Sequence, residues 1–451
     1  MEKTKNLGLW LPEDTDLLEV SKLSENFEDL DRAFADVAAP FKIGDILSTL
    51  RTDLGDDWLL CNGEPLDAAK YPELSGVLPG LSAMASAATV SSAAQGLIPS
   101  GGWPIFSATD GVNQVVTTAN NSITTAQINY AIWSSDDFKT ASRKSIGSCC
   151  VARPFYCNGR WILFAFSYNS SVLVLDKISV AAAPAAAFGD DATPPETTIN
   201  DVMGVEYTGG KYYAFVRIGT RCAVLTSDSP NFSGASVTYV NTANNNGQYA
   251  NYCKAGDKYV FVRFNPTFYD VSWSDSPASG YQTRTLTTQS STVTITGLSG
   301  QYGMTREPAY QNGKLFWIAS SYETPRKGVL VCLDGIESGN VKYTALDIVS
   351  GIYSYHLVNA SGKELAFFYY ETSGSTTTVY LVVSDGDPTN ASNWKKTALT
   401  VSGSVFYYRD ALVQSNSAIG LFVSGNKLIS VPFSAVPKIS ISNCYTYIKA
   451  K

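Results

Sequence analysis

Asn158-Gly159 before RWILFAF (160–166), Gly209-Gly210 before KYYAFVR (211–217), Gly256 before DKYVFVR (257–263) and Asn312-Gly313 before KLFWIA (314–319) are one phrase written four times. Gly and Asn accept the positive φ that tight hairpins demand, and Tyr, Phe, Val and Ile favour strands, so each copy reads as a turn opening a strand. The phrase extends outward to Asp110-Gly111 before a Val-rich run, Gly362 before KELAFFYY (363–370) and, more weakly, Asn416 before SAIGLFV (417–423). Successive turn positions 111, 159, 210, 256, 313, 362 and 416 differ by 48, 51, 46, 57, 49 and 54 residues. A second marker runs in step: an apolar strand ending in an aspartate, at Asp136, Asp176, Asp228, Asp275, Asp334 and Asp385. These lie 25, 17, 18, 19, 21 and 23 residues after the turn glycines, and the seventh copy has Pro432-Phe433-Ser434 instead.

A period near 50 residues with several strands per unit predicts a mainly β fold, a β-propeller of about seven blades with six as the alternative. A blade cannot cover both of its faces, so neighbours must supply the core. The last unit lacks an outer strand before Pro437, and Ala88-Thr89-Val90 or Gly96-Leu97-Ile98 is expected to supply it and close the ring. The recurrent Ser-Asp resembles the Asp-box of sialidase-like propellers. Turn chemistry makes these aspartates staples that accept backbone N–H bonds rather than catalysts.

Composition bounds the chemistry. The 451 residues are 45% hydrophobic, with 33 basic and 40 acidic side chains and a net charge of −7. There is no basic run of the kind nucleic acid selects, and no apolar run long enough to span a bilayer. The first residues, Met1 to Asn6, lack the apolar core of a signal peptide. A single histidine, His356, and eight cysteines without a CxxC pair predict no metal site and no cofactor, with the thiols free and buried in strands.

The front of the chain differs. Pro12-Glu13-Asp14-Thr15-Asp16 is a helix-start signal, and Val20, Leu23, Phe27, Leu30, Phe34 and Val37 then step by 3 and 4 residues. This a/d stripe predicts a short helix that docks on its own domain or on copies of itself, ending at Pro40. Residues 1–39 are therefore read as an attachment segment with a coiled-coil-like helix.

Residues 42–74, KIGDILSTLRTDLGDDWLLCNGEPLDAAKYPEL, carry Gly44, Asp45, Trp58, Leu59, Cys61, Asn62, Gly63, Tyr71, Pro72 and Leu74. This segment resembles the phage tail collar family, whose pattern is a Gly-Asp start, a Trp-Leu-x-Cys-Asp/Asn-Gly core and Tyr-Pro-x-Leu. The usual Leu-Pro-Asp-x-Arg-Gly continuation is absent, and the repeat array stands in its place. The opening resembles tail-fibre attachment segments, and the ending from Tyr445 to Lys451 resembles the terminal strand of such fibres. The expected organisation is a tail-collar-like domain of residues 40–80 plus 438–451, a linker at 81–102 and an inserted propeller at 103–437.

The resemblance implies a virion tail protein, a homotrimer joined to other tail or baseplate proteins through its N-terminus, with Val20, Leu23, Phe27, Leu30 and Phe34 as the oligomer seam. The propeller would then recognise a host-surface glycan or protein. Candidate receptor residues are Tyr168, Tyr269 and Tyr322, near loops, and Arg217 with Arg263, which occupy equivalent positions in consecutive FVR strands. Two arginines in neighbouring blades could clamp a carboxylate or phosphate of a sugar, against the alternative of tyrosines packed between blades and arginines in salt bridges. A sialidase-like hydrolase would need an arginine cluster with Tyr and carboxylate partners, for which Arg217, Arg263, Arg306, Glu307 and Glu206 are available. A purely structural tail component is the third reading.

Overall fold

The computed structural model describes residues 102–120, 127–136, 138, 140–169, 172–186, 188–196, 198–240, 249–265, 268–287, 295–298, 308–321, 327–350, 358–360, 364–373, 376–384, 386–399, 407–414, 417–424 and 427–434, together with 2–3, 10–11, 24–30, 45–49, 54, 57–60, 71, 73–74, 91–95 and 445–449. The chain divides into two compact units, one of residues 1–64, 69–78 and 438–451 and one of 65–68 and 79–437.

The larger unit is a succession of antiparallel sheets, one for each repeat of the turn phrase. The first runs Gly102–Thr109, Gln114–Asn120, Gln127–Ser134 and Ser142–Cys149, and the second Val151–Cys157, Arg160–Asn169, Val172–Ala181 and Gly189–Ala192. The third is Ile199–Thr208, Lys211–Ile218, Arg221–Ser227 and Ser236–Tyr239, and the fourth Tyr249–Ala255, Lys258–Asn265, Phe268–Ser274 and Gln282–Thr287. In the fifth, both Ile295–Leu298 and Ala309–Gln311 pair with Lys314–Ser321, which is followed by Lys327–Asp334 and Val341–Ser350. The sixth is Val358–Ala360, Glu364–Ser373, Thr376–Ser384 and Trp394–Leu399.

The seventh contains Tyr407–Gln414, Ser417–Ser424 and Lys427–Ser434, and its fourth strand is Ser91–Gln95 from the other end of the unit. That strand lies between the two stretches expected to close the ring, and it corrects the reading of residues 81–102 as linker alone. Without it, Lys427–Ser434 would present an unpaired row of N–H and C=O groups. Ile429 faces Ser92 and Ser430 faces Ser91 across the closing pair. First strands of successive sheets touch one another from the first sheet to the sixth, Glu364–Ser373 of the sixth touches Tyr407–Gln414 of the seventh, and Tyr407–Gln414 touches Gly102–Thr109, which completes the circle of a β-propeller.

Sheet faces explain the core. Between the second and third sheets, Ile162, Phe164 and Phe166 meet Tyr212, Ala214 and Val216. Between the third and fourth, Phe215 and Cys222 meet Tyr252, Tyr259 and Phe261, and between the fourth and fifth, Val260 and Val262 meet Leu315 and Trp317. The hairpin residues follow their turn types: φ is positive at both central residues of Asn158-Gly159, Gly209-Gly210 and Asn312-Gly313, but only at Gly256 of Gly256-Asp257.

The staple is the serine rather than the aspartate. Ser134, Ser227, Ser274 and Ser384 are buried, and their Oγ atoms accept N–H bonds from Phe138 (2.9 Å), Ser229 (3.1 Å), Ser276 (3.0 Å) and Leu365 (2.7 Å). Asp136 also accepts a backbone bond, from Thr140 at 2.9 Å. Asp228, Asp275 and Asp334 instead meet Lys211, Lys258 and Lys314 at 3.4, 2.9 and 3.7 Å on the surface. The hydroxyl is the smaller group and loses less hydration on burial, so it takes the inner place and the charge stays wet.

In the smaller unit, Glu2–Lys3 pairs with Trp10–Leu11, and residues 24–30 are helical. Phe27 on that helix is 63% exposed and Leu30 is half-buried; Val20, Leu23 and Phe34 lie outside the described residues. The C-terminal strand Tyr445–Lys449 lies between Ile46–Thr49 and Trp58–Leu60, while Tyr71 and Leu74 are buried. No helix among the described residues is long and apolar enough to cross a membrane.

Gly204 shows how tightly the sheets approach. A Cβ there would sit 2.3 Å from Cδ1 of Tyr252, whose ring is stacked on Phe215 at 3.7 Å and cannot retreat. Gly204→Ala should therefore destabilise the propeller by about 3 kcal/mol in urea unfolding, and a neutral result would disprove this packing account.

Candidate functional site

Each sheet has a hairpin end, where its first and second strands join, and an opposite end where strands enter from the preceding sheet. In the second to fourth sheets four arginines lie at the opposite end, where Arg153 opens a first strand, Arg217 and Arg263 close second strands and Arg221 opens a third, while Arg160 stands at a hairpin end and Arg284 within a fourth strand. Lysines Lys211, Lys258 and Lys314 occupy the hairpin end.

The strand register corrects the equivalence of Arg217 and Arg263. The first residue after the turn pair is Lys211 in one sheet and Lys258 in the next, facing Thr208 and Ala255. Counting from these lysines, the counterpart of Arg263 is Val216, not Arg217. The turn glycine misleads by one because Gly210 is the second turn residue and Gly256 the first. A one-residue offset puts a side chain on the other face. Arg263 shares its face with Tyr259 and Phe261, toward the third sheet, whereas Arg217 shares its face with Phe215, toward the fourth. The two arginines thus approach one interface from opposite sides, and Cys222, directly across from Arg217, lies within electrostatic reach of both.

Their partners differ. Arg263 is buried and ion-paired with Asp270, its cross-strand neighbour, whose other oxygen accepts the Thr285 hydroxyl at 2.7 Å. Arg153 lies over the Phe106 ring and reaches Asp201 of the third sheet at 2.5 Å. Burial pushes the Asp201 carboxyl upward against the pull of Arg153 and Arg217. Arg217 is half-buried; its Nη1 donates to the Gly219 carbonyl at 2.9 Å, its Nε has no hydrogen-bond partner, and it forms no salt bridge among the described residues. Asn200 braces the turn: its Nδ2 donates to Leu173 O at 2.9 Å and its Oδ1 accepts from Gly219 N at 2.6 Å.

The tyrosines separate likewise. Tyr168 stands 36% exposed at the end of its strand, across from Leu173. Tyr269 is fully buried against Phe264 and Trp317, so it presents no surface to a receptor. Tyr322 lies outside the described residues, as do Arg306 and Glu307. Three exposed tyrosines escaped the sequence reading: Tyr239, and Tyr156 and Tyr207, 38% and 41% exposed, each two residues before a turn pair and packed on Trp161 and Tyr212 across the hairpin. The repeated Tyr-x-Asn/Gly-Gly spacing was the available signal for the last two.

Glu206 accepts from the Tyr252 hydroxyl at 3.1 Å, and burial raises its carboxyl pKa. That carboxylate–tyrosine pair is near the hairpin end, five residues along the strand from Asp201, or about 16 Å at the usual rise. It does not join the arginines. Six cysteines among the described residues are free and buried, and burial pushes Cys222 up to about 12 and Cys157 and Cys332 up to about 11. No metal-ligating cluster occurs among the described residues.

No family model matches the chain, and no curated protein matches it. Among solved structures, it is similar to an ulvan lyase of a polysaccharide lyase family at TM-score 0.50 and 9% identity, over 77% of this chain and 94% of that one. It is also similar to the β-propeller domain of the Trilobed protease from Pyrococcus furiosus (TM-score 0.43, 10% identity, 78% and 99% covered). A further similar structure is the WD40 β-propeller domain of Doa1 (TM-score 0.39, 12% identity, 76% and 96% covered). At these identities the likeness is one of fold.

Two outcomes test the assignment of buried and surface charge. Asp270→Asn, which strands Arg263 in the interior, should cost about 3–5 kcal/mol in urea unfolding, while Lys314→Ala at the exposed Asp334 pair should cost less than about 1 kcal/mol. A thiol reagent at mildly alkaline pH should leave Cys149, Cys150, Cys157, Cys222, Cys253 and Cys332 unreacted until the protein is unfolded, and rapid native labelling of any of them would contradict their burial.

Proposed function

We propose that this chain is a receptor-binding protein of a phage tail, in which a seven-bladed propeller inserted into a tail-collar-like domain recognises a host-surface glycan. The observation that carries the reading is the three-stranded sheet of the smaller unit. Its middle strand, Tyr445–Lys449, comes from the far side of the propeller sequence and pairs with Ile46–Thr49 and Trp58–Leu60. Trp58 and Leu59 belong to the collar-like motif, and its Tyr71 and Leu74 are buried. A closed ring suits such an insertion because its ends are near each other.

Within the propeller unit, the closing strand runs away from the hairpin end and Lys427–Ser434 runs toward it. Entry and exit of the chain therefore lie on the hairpin side, which favours the opposite strand ends, with Tyr168 and Arg217, as the recognition face. The ulvan lyase similarity adds a carbohydrate-acting protein of like fold. We read the chain as a binder rather than an enzyme, because the Glu206–Tyr252 pair and the arginines stand at opposite ends of the strands. A homotrimer, attached to other tail or baseplate proteins through the N-terminus in the virion, completes the proposal.

Purified protein in excess should block adsorption of the phage that encodes it and bind host envelopes saturably without releasing reducing sugar. Unchanged adsorption would refute the receptor role, and steady sugar release would favour a tail hydrolase instead.

A further inference from the structure

We infer that a segment of host polysaccharide binds in the mouth of the gap between the second and third sheets, at their strand ends, against the rings of Tyr168 and Tyr239. The inference rests on the glycan-binding reading and gives it a place and a mode, ring stacking rather than charge. Register sets both rings on this gap. In the second sheet Ile162, Phe164 and Phe166 face the third, and Tyr168 continues their alternation, across from Leu173. In the third sheet Ala223 and Val237 face the second, and Tyr239 continues from Val237, across from Ala223. The two tyrosines are 36% and 41% exposed, whereas Ile199 and Ile218, on the inner strands of the same gap, are buried. Arg217 faces the fourth sheet, outside this gap.

The walls are held in place. Asn200 of the third sheet donates from Nδ2 to the Leu173 carbonyl of the second at 2.9 Å, which ties the two sheets together beside Tyr168 and fixes the width of the gap. Arg221, on the same face as Tyr239, lies over that ring at 5.1 Å and braces it. Arg153, which reaches across the gap, is engaged by Asp201. Tyr168 lies on a second strand and Tyr239 on a fourth, so two strand spacings of about 4.8 Å set them roughly 10 Å apart along the gap. They therefore offer two separate apolar platforms, each with a hydroxyl tip, to different rings of one chain. Two half-exposed rings present far less than the roughly 800 Å² that each partner buries in a stable protein interface, which favours a narrow, extended ligand over a folded one. Because both walls are already fixed, little ordering cost falls on the protein side.

Binding of the whole protein to host envelopes that are intact, periodate-oxidised or protease-treated, at low and high salt, tests this. The expected result is saturable binding that survives protease, is lost after periodate and changes less than about twofold with salt, because stacking is not screened. Tyr168→Ala and Tyr239→Ala should each weaken that binding about tenfold or more, with thermal unfolding unchanged for at least one of them. Tyr168→Phe and Tyr239→Phe should retain it, since the ring remains, and Tyr156→Ala at the hairpin end should leave it as it was. Undiminished binding by the folded alanine variants, steep loss with salt, or loss after protease but not periodate would overturn the inference. The two levels separate cleanly: alanine variants that bind like the wild type remove this site alone, whereas a wild type that does not bind envelopes at all removes the receptor reading as well.

Discussion

A β-sheet with apolar residues on both faces is stable only when something covers each face, and in this chain the cover is always the next sheet. Tyr212, Ala214 and Val216 turn toward the second sheet while Phe215 turns toward the fourth, and this alternation continues from sheet to sheet. Such an arrangement has no natural stopping point, because a terminal sheet would leave one face and one edge bare. The ring resolves both needs: Tyr407–Gln414 packs beside Gly102–Thr109, and Ser91–Gln95 occupies the edge of Lys427–Ser434. Apolar burial at roughly 25 cal/mol per Å² then accumulates around the whole circle rather than ending at an exposed flank.

The same alternation decides where charge may go. Arg263 falls on an inward face and is stable there because Asp270 stands directly across the ladder and Thr285 satisfies that carboxylate in turn. Such a pair costs much to break and contributes little to binding anything outside. Arg217, one position further along its own strand, emerges at the strand end with donors to spare. Two residues that look alike in an FVR triplet thereby acquire opposite roles through a shift of one residue in register.

The hairpin end is organised differently. Lysine–aspartate pairs bridge the second and third strands in water, and buried serines hold the backbone beneath them. Tyr156 and Tyr207 lie over Trp161 and Tyr212 at this end, the side on which the chain enters and leaves the ring. The two ends thus differ in their cations, with Arg153, Arg217, Arg221 and Arg263 at one and the aspartate-paired lysines, beside the exposed Tyr156 and Tyr207, at the other.

Much of this was legible in the residues themselves. The repeat of Gly and Asn turns marked the hairpins and their order while leaving six or seven blades open, because positive φ is a local demand that few side chains meet, and the Ser-Asp marker showed where third strands end. The lack of an outer strand in the last unit was likewise visible, since strand count is a matter of one repeat against the others. Which segment filled that place, Ser91–Gln95 rather than its flanks, depended on pairing between residues more than 300 apart in sequence. Burial of Tyr269 and Arg263, the half-exposure of Arg217 and the inward place of serine over aspartate also depended on tertiary contacts. Facing residues are set by register and by the neighbouring sheet, and neither is written in the local run of amino acids.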